Sequence, residues 1–408
     1  MDQPSSTHAH GLENGEIIRY SRQLLVPQIG TRGQEDIVQG SVLVVGAGGL
    51  GVPVLLYLAG AGVGRIGVVD SDVVELSNIH RQVLYAEASV GEPKAARAAA
   101  TVRALNSRVQ VDTHDVRLDR TNARELVRRY DVVVDCSDNV FTRYLVNDAC
   151  CLENRPLVSG SAIQLEGQLT VYNHAGGPCY RCIFPRPSAP SAVTNCSDGG
   201  VLGPVVGVLG SLQALEAIKL LAHMEGVLSG RLLLFDARSS VFRELKLRPR
   251  RVECAGCHAE SLPTQSEYDA LCRGTGGCID CADNVRSVPE VSCSDYSSVR
   301  RKGEAHVLLD VRERLQFEIC ALSGSVNVPL AELNSRLPDL AREISACRSR
   351  STSDSVDVFV ICRRGVASAE AVQQLDDSTI AFTNARFFSV HGGLTEWAKS
   401  IDPTFPRY

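Results

Sequence analysis

The chain has 408 residues, 22% of them charged and 44% hydrophobic, with a formal net charge of −5. That length exceeds one ordinary core and predicts two or three domains of a soluble globular protein. The mild acidity excludes a global field that would draw in DNA or RNA, so no direct nucleic-acid binding is expected. Fifteen cysteines, with no apolar leader in residues 1–15, fit a reducing compartment, the cytosol. They read as metal ligands or reactive thiols and not as a disulfide frame.

In chain order, residues 1–15 read as a disordered tail and residues 17–25 as a short helix. Ser41-Val42-Leu43-Val44-Val45 is a continuous apolar run of the kind buried on both faces of a sheet. The glycine loop Gly46-Ala47-Gly48-Gly49-Leu50-Gly51 follows, then an apolar helix through Leu58. A second strand, Ile66-Gly67-Val68-Val69, ends on Asp70. Pro93 opens another helix where its missing N–H costs nothing, and strands over 109–111 and 131–134 continue the alternation. This rhythm predicts an α/β fold with a Rossmann-like, doubly wound, mostly parallel sheet. Strand-rich stretches over 156–172 and 231–247 add an antiparallel extension.

Residues 201–224 form the most apolar segment, yet they contain Pro204, Gln213, Glu216 and Lys219. A helix buried in the core or facing a dimer partner is expected there, and no membrane span. Residues 254–289 are rich in Cys, Gly, Ser and Asp without periodicity and read as a linker. A smaller α/β unit follows, from Val307-Leu308-Leu309-Asp310-Val311-Arg312 through Ser325-Val326-Asn327-Val328-Pro329. Its strand Val358-Phe359-Val360-Ile361 delivers Cys362 at the carboxyl end, where open α/β sheets hold ligands. The expected organisation is a tail (1–15), a nucleotide-binding domain (16–258), a linker (259–288) and the small domain (289–408).

Gly46-x-Gly48-x-x-Gly51 followed by Asp70 fits a dinucleotide-binding dehydrogenase as well as an ATP site. The charge that follows favours ATP. Ser77-Asn78-Ile79-His80-Arg81-Gln82 and Lys94 bring cations to the sheet mouth, which a leaving pyrophosphate needs and a nicotinamide does not. Asp138, after the strand that begins near Asp131, is a hard oxygen ligand suited to Mg²⁺ beside phosphates. The competing reading has Asp138 capping the next helix and pairing with Arg143 at the surface. Three Cys-x-x-Cys pairs occur: Cys179/Cys182, Cys254/Cys257 and Cys278/Cys281, with Cys272 near the third. Spacing alone joins the last two pairs into a local zinc ribbon.

Arg19-Tyr20-Ser21-Arg22-Gln23, the glycine loop, Ser77 to Gln82, Lys94 and Asp138-Asn139-x-x-Thr142-Arg143 together resemble the ubiquitin-activating-enzyme-like adenylyltransferases. The resemblance runs from about Arg19 to Cys257. It implies that Gly49, Asp70, Ser77, Asn78, Ile79, His80, Arg81, Lys94, Asp138 and Asn139 bind ATP. It also implies that Arg22 reaches the phosphates across a homodimer. One structural Zn²⁺ would be held by Cys179, Cys182, Cys254 and Cys257, against the spacing argument. Cys196, in the Pro-bounded stretch Thr194-Asn195-Cys196-Ser197-Asp198, matches the cysteine to which eukaryotic relatives assign a glycyl thioester.

Cys362-Arg363-Arg364-Gly365-Val366-Ala367-Ser368 resembles the rhodanese active-site loop, and with Asp310-Val311-Arg312 and His391-Gly392-Gly393-Leu394-x-x-Trp397 the likeness covers about 291–408. Backbone N–H groups curled round one sulfur, with two arginines alongside, would hold a persulfide anion. A phosphatase would need Arg where Ser368 stands. The two likenesses in one chain resemble the eukaryotic adenylyltransferase–sulfurtransferase fusions. They imply adenylation of the C-terminal glycine of small ubiquitin-fold sulfur carriers, namely the molybdopterin-synthase small subunit and the ubiquitin-related modifier. Sulfur transfer from a Cys362 persulfide loaded by a cysteine desulfurase would then serve molybdenum cofactor synthesis and tRNA wobble-uridine 2-thiolation. The alternative is an activator that makes a thioester through Cys196 for conjugation, without sulfur transfer.

Overall fold

The computed structural model describes residues 10–187, 199–272, 288–350, 355–378, 382 and 384–408. The chain divides into two units, Met1–Cys281 and Ala282–Tyr408. In unit 1, β1 (Ser41–Val45), β2 (Arg65–Val69), β3 (Gln110–His114), β4 (Val132–Asp135), β5 (Leu157–Ile163), β6 (Glu166–Tyr172), β7 (Arg231–Asp236) and β8 (Val241–Lys246) form one sheet in the order β3-β2-β1-β4-β5-β6-β7-β8. Pairing is parallel as far as β5 and antiparallel beyond it.

The unbroken apolar run of β1 makes sense in this setting. Val42 and Val44 join a core with Leu55, Leu58, Ala98 and Leu209 on one face. Leu43 and Val45 join a second core with Leu126, Tyr144 and Leu145 on the other. A strand whose alternate side chains enter different cores has no polar positions left. The helix Gly203–Leu221 packs on the first face. It is long and apolar enough to cross a membrane, yet Gln213 and Glu216 are buried and bonded within the protein. Gln213 Nε2 donates to the Asp135 carbonyl at 2.8 Å, and Glu216 Oε2 accepts from the Leu228 N–H at 2.8 Å.

The expected linker holds more structure than its composition implies. Gln265–Cys272 is a helix whose Tyr268 is fully buried and donates to Asp148 Oδ2 at 2.8 Å. Arg181 grips the same carboxylate through two bonds of 2.6 Å. Residues 273–287, with Cys278 and Cys281, lie outside the described residues.

Unit 2 is a parallel sheet of β9 (Glu290–Val291), β10 (His306–Asp310), β11 (Ser325–Asn327), β12 (Val356–Ile361) and β13 (Ala385–Val390), in the order β11-β10-β12-β13-β9. Central β12 is buried at five of its six positions. It runs into Cys362 and then the helix Val366–Asp376.

The glycine loop of unit 1 is fixed by close approach. A Cβ on Gly51 would lie 2.0 Å from the Gly46 carbonyl oxygen. Gly46 itself sits at φ +95°, where a Cβ would meet the Cys136 carbonyl at 2.8 Å. Gly51→Ala is therefore expected to destabilise unit 1 by about 1–3 kcal/mol or more, read from its thermal unfolding midpoint; an unshifted midpoint would contradict this packing.

Candidate functional site

Strand order reverses between β1 and β4, so the ends of β1, β2 and β4 open into one crevice. Such switch points are where open α/β sheets take ligands. Asp70, just past β2, points into the glycine loop: Oδ2 accepts from the Ala47 N–H and Oδ1 from the Asp72 N–H, both at 2.8 Å. Burial raises its pKa, and the Lys94 cation and the two N–H bonds pull the other way. Tyr85 donates its hydroxyl to the Ala47 carbonyl at 2.8 Å. Lys94 is buried and reaches Asp72 at 2.8 Å.

The segment Ser77 to Gln82 flanks the loop. Arg81 donates to the Ser77 carbonyl at 2.9 Å and to Asn78 Oδ1 at 3.0 Å. His80 Nε2 lies 2.8 Å from the Arg81 guanidinium; burial first, and then that cation, lower the His80 pKa. Ile79 caps the short 3₁₀ turn Leu76–Asn78. Gln82 lies beside Gly48. Its Oε1 is buried without a hydrogen-bond partner among the described residues.

Behind β4, the acid that organises the loop is Asp135, not Asp138. Asp135 is fully buried and accepts from Arg143 Nε at 3.1 Å, from Ser159 Oγ at 3.1 Å, and from the Ser137 N–H and Oγ at 3.0 and 2.6 Å. Arg143 also donates to the Ser137 and Gly160 carbonyls. The surface pairing of Asp138 with Arg143 does not form, because the guanidinium is drawn inward to Asp135. Nor does Asp138 cap the helix Val140–Leu152; Asn139 does, its Oδ1 accepting from the Thr142 N–H at 2.8 Å. Asp138 is left exposed at the loop tip.

Arg22 is not brought to this crevice. It lies exposed at the end of the helix Asn14–Leu24. That helix packs against the C-terminal end of the helix Gly51–Ala61 through Tyr20 at Gly62 and through Gln23, which donates to the Ala61 carbonyl. At about 1.5 Å per residue, a helix of this length separates Arg22 from its own glycine loop by about 16 Å. Gly49 packs on Val206 of the helix Gly203–Leu221.

The sulfur atoms of Cys179, Cys182, Cys254 and Cys257 all lie within 4.8 Å of one another, three of the residues being buried. Separations of 3.5, 3.6 and 3.8 Å match the edge of about 3.8 Å expected for thiolates about 2.3 Å from a tetrahedral zinc. The pairing is thus Cys179/Cys182 with Cys254/Cys257, and the local ribbon favoured by spacing is not formed by the latter pair. The helix Val140–Leu152 supports the first knuckle, Asn147 Oδ1 accepting from the Tyr180 N–H at 2.7 Å. Cys196 lies outside the described residues.

In unit 2, Cys362 is buried, and the Gly365 N–H donates to its Sγ at 3.1 Å. Gly365 adopts φ +93°, closing the loop at the head of the helix that begins with Val366. Buried Ser368 stands 3.5 Å from Sγ, donates to the Gly365 carbonyl at 3.0 Å and meets Ser389 Oγ at 2.9 Å. Ala367 packs against the unit's core, whereas Arg364 is exposed. From the other side, Gly392–Leu394 closes on the loop: the Leu394 N–H donates to the Cys362 carbonyl at 2.9 Å. The site is a buried thiol whose sulfur accepts from a main-chain N–H at the head of a helix, with Ser368 Oγ beside it.

Residues 20–256 match the ThiF family and residues 295–400 match the rhodanese-like domain. The chain is 49% identical over 399 residues to an adenylyltransferase and sulfurtransferase MOCS3 of Aedes aegypti, covering 97% of this chain and 90% of that protein. It is 48% identical over 406 residues to the protein of that name in Danio rerio (97% and 88%), and 44% over 413 residues to that in Arabidopsis thaliana (98% and 87%). Among solved structures, Escherichia coli MccB with MccA-N7isoASN aligns at TM-score 0.54 and 24% identity, over 59% of this chain and 74% of that one. Escherichia coli MccB with ATP aligns at TM-score 0.53 and 22% identity, over 60% and 75%. At those identities the structural likeness speaks for the fold alone.

The cysteine geometry predicts about one zinc per chain by elemental analysis. Cys182→Ser should lose the metal and lower the unfolding midpoint of unit 1, with strong chelators doing the same to the parent chain. Metal-free protein of unchanged stability would contradict the assignment.

Proposed function

The chain belongs to the ThiF family, in its branch of adenylyltransferase and sulfurtransferase MOCS3 proteins, and from that premise we propose how its residues divide the work. Unit 1 activates the C-terminal glycine of a small ubiquitin-fold sulfur carrier. The carrier carboxylate attacks the α-phosphorus of ATP, giving an acyl-adenylate and releasing pyrophosphate. We assign Asp70 to the ribose, Gly49 and the Ser77–Arg81 segment to the phosphates, and Lys94 and Arg81 to the charge that develops on them. Asn139 and Asp138 border the same mouth. Asp138, exposed and unclaimed by Arg143, is the carboxylate we assign to Mg²⁺, which when bound neutralises phosphate charge. The distance of Arg22 from its own loop supports a homodimer in which each copy lends this arginine to its partner.

Unit 2 supplies the sulfur. Cys362, loaded to a persulfide by a cysteine desulfurase, attacks the activated acyl carbon through its outer sulfur and AMP leaves. A second thiol, for which we propose Cys196, then attacks the Cys362 sulfur. The carrier departs as a thiocarboxylate, and the Cys196–Cys362 disulfide left behind is reduced by an external dithiol. We place these steps in the cytosol, serving molybdenum cofactor synthesis and tRNA thiolation. The observation that carries the reading is Cys362 Sγ held by a main-chain N–H at the head of a helix, in a chain that also builds a glycine loop for phosphates.

A Gly-Gly-tailed ubiquitin-fold carrier, incubated with this protein, ATP, Mg²⁺, a cysteine desulfurase and cysteine, should exchange one carboxylate oxygen for sulfur by mass spectrometry. Cys362→Ala should abolish the exchange while leaving ATP–pyrophosphate exchange intact. Asp138→Asn should cut pyrophosphate exchange by about 100-fold or more. Thiocarboxylate formed at the parent rate by Cys362→Ala would overturn the reading in favour of a thioester-forming activator.

A further inference from the structure

We propose that Tyr408 is a positioning residue for sulfur transfer: its ring and main-chain oxygen hold the guanidinium of Arg363, the residue next to Cys362. The proposal rests on the reading that Cys362 carries sulfane sulfur, and it adds a residue which neither the glycine-rich motifs nor the cysteine patterns mark.

The argument begins one layer below, at Arg312. This side chain is buried among acceptors. Nε donates to both oxygens of buried Asp310 at 2.9 and 3.0 Å, and the terminal nitrogens donate to the Gln316 carbonyl at 3.0 Å, to the Cys320 carbonyl at 2.8 Å and to the Tyr408 hydroxyl. An arginine bound on so many sides is a rigid post. Tyr408 is fixed to it by the hydroxyl bond and by its ring, whose centroid is 5.8 Å from the Arg312 guanidinium carbon.

The segment leading to Tyr408 is also tied down. The Phe405 N–H donates to the Asp402 carbonyl at 3.0 Å, the Phe405 ring packs beside Trp397, and Arg407 donates to the Ala398 carbonyl at 2.9 Å. Thus Tyr408 arrives at the loop with little freedom left.

Its outer side meets Arg363. The guanidinium carbon of Arg363 is 5.1 Å from the Tyr408 centroid, within the range of a cation–π contact. One terminal nitrogen donates to the Tyr408 main-chain oxygen. Meanwhile the backbone of Arg363 is pinned through its carbonyl, which accepts from the Thr395 N–H and Oγ1, both at 2.9 Å. Main chain and side chain of the residue next to the nucleophile are thereby fixed by two different elements, Thr395 and Tyr408. A preoriented guanidinium loses little freedom when an anionic sulfur donor arrives, so its anchor bears on donor binding more than on the bond-making step.

The test uses the full-length protein with thiosulfate as donor and cyanide as acceptor. The Cys362 thiolate attacks the outer sulfur of thiosulfate and sulfite leaves with the bonding pair. Cyanide then takes the outer sulfur as thiocyanate and the thiolate returns. Tyr408→Ala should raise the KM for thiosulfate about threefold to tenfold with kcat within about twofold, and Tyr408→Phe, which keeps the ring, should recover most of the loss. In an Arg363→Ala background the Tyr408→Ala change should add nothing, because it acts through that guanidinium. Should Tyr408→Ala not fold, Tyr408→Leu fills the space without a π face and reads the same comparison. A KM lowered by Tyr408→Ala, an unchanged KM, or the full effect persisting without Arg363 would each overturn the proposal. Absence of Cys362-dependent transfer in the parent protein would instead sink the sulfur-carrying reading, and the proposal with it.

Discussion

The buried pair of Asp135 with Arg143 is the contact on which the nucleotide end depends. A carboxylate with no exposure to water is costly unless its charge is matched and its lone pairs are used, and here Arg143, Ser137 and Ser159 together do both. The result is a stiff turn from Cys136 to Asn139. Its outer wall is the Cys136 carbonyl, against which Gly46 lies too close for any side chain. Loosening the pair would therefore be felt in the glycine loop through the Cys136 carbonyl. Asp138, at the tip of the turn, stays exposed because the inner acid has already taken the arginine.

Unit 2 repeats this solution with other residues. Asp310 closes a central parallel strand, is buried, and holds Arg312 two residues later. Asn327 then bonds the carbonyls on either side of that corner, at 3.0 and 2.8 Å. In each unit the acid sits at the carboxyl end of a strand where main-chain groups splay apart, and its arginine stitches the next turn in place. Reactive groups can then stand on short loops and still be well aimed. The glycine loop and the cysteine loop are alike in a second way: each runs directly into a helix, Gly51–Ala61 in one and Val366–Asp376 in the other.

Much of this was legible in the residues because the strong signals are local. The β1 run, the glycine spacing, the Cys362 loop and the paired cysteines all lie within short windows, and the α/β fold and the two family likenesses followed from them. What escaped depends on tertiary context. Asp135 and Arg143 are eight residues apart, and nothing in the sequence shows that the arginine turns inward past Asp138. The helix Gln265–Cys272 lies in a stretch of loop-like composition; it is held by Tyr268 on Asp148, 120 positions away, and by Arg181 on the same carboxylate. Spacing also misled over zinc, since a sheet can bring Cys179 to Cys254 as readily as a ribbon joins neighbours. Tyr408 carries no motif at all.

The central claim is that the outer sulfur of a Cys362 persulfide, and no other group of the chain, makes the first bond to an adenylated glycine. Its direct test is to catch that bond. Persulfide-loaded Cys196→Ala protein, which lacks the thiol proposed to resolve the intermediate, would be mixed with a Gly-Gly-tailed carrier and ATP in the absence of any reductant, quenched in acid and mapped by peptide mass spectrometry. The account predicts an acyl-disulfide joining the carrier's terminal glycine to Cys362, formed when ATP and the loaded sulfur are both present and released by dithiol. A carrier thioester on a different cysteine, appearing at the same rate whether or not Cys362 had been loaded, would contradict it.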